Sequence, residues 1–115
     1  MWLFKNRGRP SHSLGEAVNT YITACEAESK SPRTVLAYNE NLSQFLEICR
    51  DHELQSTVQQ FDVHDVYGYL GAVAKRGVSI ATRHRRYRET RAFFSWCVRM
   101  KMIESNPSSG IPNVR

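Results

Sequence analysis

The chain has 115 residues, enough for one domain with a core of its own, and its 41% apolar and 23% charged residues are an ordinary globular balance. That balance excludes a natively disordered chain, and no apolar run approaches the ~20 residues of a membrane span. Net charge is +5, and 12 of the 16 basic residues are arginine, the side chain that forks onto phosphates and guanine edges.

Residues 1–12 begin Met1-Trp2-Leu3-Phe4 and then turn basic through Lys5, Arg7 and Arg9 without periodicity. They read as a flexible basic arm. Four apolar residues with the basic ones following do not make a secretory leader, so a cytoplasmic protein is expected.

A first helix is predicted over 13–29. Ser13 and Glu16 have the spacing of a capping box, and Leu14, Val18, Tyr21, Ile22 and Cys25 recur every three or four residues. A second helix is predicted over 31–52. Ser31 caps it, and Pro32 suits a position whose N–H would be unpaired anyway. Val35, Tyr38, Leu42, Phe45, Leu46 and Cys49 form its apolar stripe. Arg33, Ala37, Glu40, Gln44 and Glu47 lie opposite, with Leu36 at the edge of that outer face.

Residues 53–61 read as a polar connector. Asp62 caps a third helix over 62–76, with Asp65 at the next favourable acidic position. Val63, Val66, Tyr67, Leu70, Val73 and Ala74 are expected to face inward. Gly68 and Gly71 weaken a helix, which predicts close approach by another helix there. Lys75, Arg76 and Gly77 supply a natural stop. Ser79 caps a fourth helix over 79–102, whose stripe of Tyr87, Phe94, Cys97 and Val98 is widened by Phe93 and Trp96. Asn106-Pro107 ends the pattern, and residues 106–115 read as a linker. No segment alternates with a two-residue period. The expected fold is all-α, a compact four-helix bundle over 13–105.

Cys25, Cys49 and Cys97 stand far apart and each falls on an apolar stripe. They read as buried free thiols. With His52, His64 and His84 they lack ligand spacing, so no metal site and no cofactor are expected. Enzymatic signatures are missing too: no phosphate-cradling glycine loop, GxSxG or HExxH, and no Ser/His/Asp or Cys/His grouping. Each tyrosine has a core place at helical spacing. No catalytic residue is assigned, and the chain is read as non-enzymatic.

The informative feature is the placement of charge on the fourth helix. Arg83, Arg85, Arg86, Arg88 and Arg91 fall within nine residues, offset only by Glu89. At 100° per residue, Ala81, Thr82, Arg85, Arg88, Glu89 and Ala92 lie on the face opposite Tyr87. Like charges on adjacent turns repel one another, and a polyanion would relieve them. Small alanines let such a helix approach a DNA major groove, where arginine can bind guanine. Thr82 lies in the first turn, where helix N–H groups favour phosphate. Arg91 lies nearer the core stripe and is expected to make an internal salt bridge rather than touch DNA. The competing reading is a solvated basic face neutralised by acids such as Glu40 and Glu47.

Three short motifs resemble the N-terminal core-binding domain of the tyrosine recombinases, the phage integrase family. Ser31-Pro32-Arg33-Thr34 followed by Tyr38, Leu42 and Phe45 resembles that domain's second helix. Gly77-Val78-Ser79, Thr82, Arg86, Arg91-Ala92-Phe93-Phe94 and Trp96 resemble the helix that follows. Met102-Ile103-Glu104-Ser105-Asn106-Pro107 looks like its closing signature. The resemblance covers residues 13–112 and implies a SAM-like four-helix fold whose second and fourth helices face the major groove of double-stranded DNA. It implies DNA contacts at Arg33, Thr34 and Gln44, and at Thr82, Arg85, Arg86 and Arg88. Arg85 is assigned to base edges and Arg86 to phosphate. Leu36 and Glu40 depart from the pattern, because polar or basic residues would be expected there.

The resemblance further implies a prokaryotic or phage-encoded parent. That parent would carry a separate catalytic domain with a nucleophilic tyrosine, and would work as a tetramer on two sites. The alternative reading is a stand-alone helical module that docks acidic protein partners through the same arginines. A helix-turn-helix repressor fits less well, since no pair of short helices with a tight glycine turn is present.

Overall fold

Each helix begins where a short polar side chain can take up a backbone donor. In the computed structural model, which describes residues 12–112, the order is α1 (Leu14–Ala27), α2 (Pro32–Asp51), α3 (Val63–Lys75) and α4 (Ile80–Arg99). The basic arm expected over 1–12 lies outside the described residues except for His12.

All four predicted caps hold. The Ser13 and Glu16 side chains reciprocate across the start of α1, and Asp62 and Asp65 form a second capping box on α3. Ser31 and Ser79 accept from the Thr34 and Thr82 amides, both at 3.1 Å. At the other ends Ser29, Glu53 and Lys101 take left-handed backbone at φ 65, 55 and 62. The next amide in each case donates back to Cys25, Cys49 or Cys97. These bonds close the last turns of α1, α2 and α4, so the helices stop short of the expected ends. Gly77, directly after the Arg76 C-cap of α3, also takes left-handed backbone, at φ 75.

The core is aromatic. Phe45 of α2 sits 4.9 Å from Tyr69 of α3 between ring centroids, with Phe61, Phe93 and Phe94 also around it. Tyr21 of α1 lies 5.3 Å from Trp96 and 5.6 Å from Phe93. The three cysteines are buried and free within this core.

Two expectations about α3 need correction. On α3 the buried residues are Val66, Tyr69, Ala72 and Val73. Tyr67 is 52% exposed, and Ala74 also faces out. A bundle this small covers only part of a wide apolar stripe, and the covered part is the side on which Tyr69 packs edge-on against Phe45. No helix closes on the α3 glycines. A Cβ on Gly68 would lie 3.2 Å from the Leu54 side chain of the connector, and one on Gly71 would meet nothing within 4 Å.

The connector itself is more than polar. The Leu14 amide donates to the Ser56 carbonyl at 2.9 Å and the Val58 amide to the His12 carbonyl at 3.0 Å, with Ser13 bridging Thr57. That pairing seats Val58 and Phe61 in the core.

Past α4, residues 106–111 are bound to the helix. The Asn106 amide donates to the Arg91 carbonyl and to Ser95 Oγ, both at 3.0 Å, and accepts from the Ser108 amide at 2.8 Å. Tyr87 donates its hydroxyl to the Ile111 carbonyl at 2.8 Å. Ser108 and Ile111 are buried there.

Candidate nucleic-acid interface

The fourth helix divides its arginines between two sides. Arg86, Thr90, Phe93, Phe94 and Cys97 share the inner side, and all are buried. Arg86 is 9% exposed, and its guanidinium lies close enough to the hydroxyl of Tyr69 from α3 to favour that group's ionised form. Thr90 donates to the Arg86 carbonyl at 2.8 Å and also meets Tyr69. Burial pushes the Tyr69 hydroxyl above its ordinary range, while Arg86 and Thr90 pull against it.

The structure therefore does not bring Arg86 to the outer surface. Helical spacing held that signal: Arg86 precedes Thr90, Phe93 and Phe94 by four, seven and eight residues, which puts it on their side. Arg91 also turns inward, donating to the Tyr87 hydroxyl at 3.0 Å and lying 5.9 Å from that ring's centre. Its internal partner is thus a tyrosine rather than an acid. Arg83 is half-buried, with its Nε shielded from water and unpaired.

Arg85 and Arg88 point outward together with Ala81 and Ala92. Thr82 is half-buried, and its amide and hydroxyl are both engaged by Ser79 Oγ, at 3.1 and 3.0 Å. The Thr82 N–H is therefore spoken for, and the first-turn donors left for an anion are the amides of Ile80 and Ala81. Ser31 and Thr34 repeat this arrangement at the start of α2. Arg33 is exposed in that same turn, and Thr34 and Gln44 are half-buried. Leu36 is 59% exposed and Glu40 is exposed.

One bond that the sequence did not reveal joins the two helices. Asn41 Nδ2 of α2 donates to Glu89 Oε1 of α4 at 2.6 Å. On each helix the core lies to one side of this bond: Phe45 and Cys49 on α2, Phe93 and Thr90 on α4. On the other side α2 presents Ala37, Gln44 and Arg33, within about 80° of Asn41, and α4 presents Arg85, Ala92, Ala81 and Arg88, within about 100° of Glu89. The two strips flank the Asn41–Glu89 bond on the side away from the core, and the surface between them, the α2–α4 valley, has that bond as its floor.

Burial raises the Glu89 carboxyl above its ordinary range. Asn41 and then Arg85, Arg86 and Arg88 oppose that rise without cancelling it. Among the described residues no three His, Cys, Asp or Glu side chains gather as a metal would need, and no helix is long and apolar enough to cross a membrane.

Residues 18–101 match the model of the phage integrase N-terminal SAM-like domain family. The chain belongs to that family. This SAM-like domain is 30% identical over 95 residues to the tyrosine recombinase XerC of Escherichia coli O1:K1 / APEC, and equally to that of strain K12 / DH10B. Each match takes in 82% of this chain and 32% of the relative, so the chain spans about a third of the length of these curated relatives. The crystal structure of the N-terminal domain of a phage integrase/site-specific recombinase from Haloarcula marismortui superposes with a TM-score of 0.79 at 18% identity. It covers 93% of this chain and 98% of its own, which establishes the shared SAM-like fold.

Proposed function

We propose that this domain binds duplex DNA across the α2–α4 valley, as the N-terminal domain of a site-specific tyrosine recombinase. The observation that carries the reading is the outward pair Arg85 and Arg88, set between the small residues Ala81 and Ala92 on a helix start capped by Ser79. Two guanidiniums spaced by one helical turn, with no bulky side chain between them, suit a helix laid in a major groove. Arg33 adds a third exposed guanidinium from α2. Thr34, Gln44 and Thr82 are half-exposed polar groups beside the same valley and fit contacts to base edges or sugar–phosphate. Arg86 works from inside, as part of the frame that holds α4 against α3.

On this reading strand cleavage belongs to a separate catalytic domain of the parent protein, and the present domain is non-catalytic. The parent acts on DNA in the cytoplasm, with further protomers assembling on the paired sites as a tetramer.

Fluorescence anisotropy with a duplex of about 30 base pairs tests the reading. Affinity should fall steeply with salt, because each neutralised phosphate contributes a slope of about −0.9 in log affinity against log salt. Arg88→Ala should flatten that slope by about one contact, and Arg85→Ala should also relax base preference. Absence of binding to any duplex at about 50 mM salt, where such contacts are strongest, would refute it.

A further inference from the structure

The valley floor carries an acid where a polyanion is expected to lie. Glu89 is the one carboxylate between Arg83 and Arg91, it is half-buried, and Asn41 fixes it from the facing helix at 2.6 Å. As a mere tie between helices it is a poor choice. A glutamine would accept from Asn41 equally well, without a charge to desolvate. Its charge also works against the affinity that Arg85 and Arg88 provide, since phosphate near a fixed carboxylate is repelled.

Both costs become intelligible if the carboxylate discriminates. Held at a defined point by Asn41, it rejects any docking that lays the sugar–phosphate backbone over the floor. It accepts a docking that presents an amino-bearing base edge there. In the major groove those donors are the N4 amino group of cytosine and the N6 amino group of adenine, and a carboxylate is a natural acceptor for the former.

Building on the DNA-binding reading above, we propose that Glu89 is a specificity-determining residue: fixed by Asn41 between α2 and α4, it selects an amino-bearing base edge and excludes phosphate. Arg85 and Arg88 supply attraction on either side of it. Glu89 supplies the penalty that makes the attraction selective, in the way that an unfavourable element sharpens recognition elsewhere.

The test uses the 115-residue chain, a random-sequence duplex pool, and the sequence that the wild-type protein itself selects from that pool. Glu89→Gln keeps an acceptor for Asn41 and removes the charge. It should tighten binding to the random pool by about tenfold, and lower the preference for the selected duplex over the pool by about tenfold, the usual effect of one lost base contact. Asn41→Ala keeps the charge and removes its support. It should erode the preference for the selected duplex as well, because an unfixed carboxylate no longer marks one position.

Thermal melts of both variants accompany the binding, and Glu89→Gln, being isosteric, carries the test if Asn41→Ala unfolds. If wild type selects a sequence and Glu89→Gln keeps the full preference, or weakens both duplexes equally, the proposal for Glu89 is overturned and the DNA-binding reading stands. If wild type binds no duplex at low salt, both fall together.

Discussion

At the scale of single residues, the arginines of α4 show how one residue type does two jobs. Arg86 is buried against Tyr69 and Thr90, whereas Arg85, next in sequence, points to solvent. Removing a buried side chain packed beside Tyr69 leaves a cavity and a hydroxyl without its neighbouring charge, so Arg86→Ala is expected to cost about 2–4 kcal/mol of stability. Arg85→Ala should stay within about 0.5 kcal/mol of wild type, as surface changes do. Urea denaturation of the two variants checks this, and equal midpoints would contradict the division. Of the outer face read from helical spacing, Ala81, Arg85, Arg88 and Ala92 are exposed, whereas Thr82 and Glu89 are half-buried. Arg86 entered the candidate site through the family resemblance, while its spacing to Phe93 and Phe94 pointed inward. The Asn41–Glu89 bond was not readable, because it depends on where two helices cross, and spacing along one helix is blind to that.

At the scale of elements, local chemistry explains the helix boundaries well. Four polar caps start the helices, and those caps were legible because each stands directly before an apolar period. The stops were less legible, since three of the four use a left-handed residue other than glycine. Such a residue is strained by about 1 kcal/mol, and glycine would relieve it. Lys101→Gly is therefore expected to raise stability by about 1 kcal/mol, read as a higher urea midpoint with unchanged slope. A lower midpoint would show that no strain is released there. The connector and α3 were the least legible elements. Val58 and Phe61 are too few to make a periodic stripe, and they become core residues only through backbone pairing with His12 and Leu14. Tyr67 and Tyr69 are alike in type, and it is Tyr69 that turns inward with Val66 and Val73, against Phe45 of α2.

At the scale of the whole molecule, three thiols on three different helices report on the integrity of a single core. Burial pushes Cys49 and Cys97 from their ordinary value of 9.0 up to about 12, and raises Cys25 as well. A group whose proton is held more tightly in the folded chain stabilises it below the unfolded value, and that contribution is lost as pH rises toward the folded value. Melting temperature should therefore hold up to about pH 8.5 and fall progressively above pH 9, as thiolate becomes available only to the unfolded chain. Cys97→Ala should soften that alkaline decline, and an unaltered profile would show that the thiol plays no part in it. The all-α architecture was fully legible in the sequence, because four amphipathic periods with caps leave few other ways to bury their stripes. The path after α4 was not: residues 106–111 look like spacer in composition, yet Asn106 and Tyr87 hold them to the helix. Residues 106–111 therefore belong to the folded unit and lie along α4. The direction in which the chain departs is thereby set by the arginine-bearing helix itself, through the bonds of Asn106 and Tyr87.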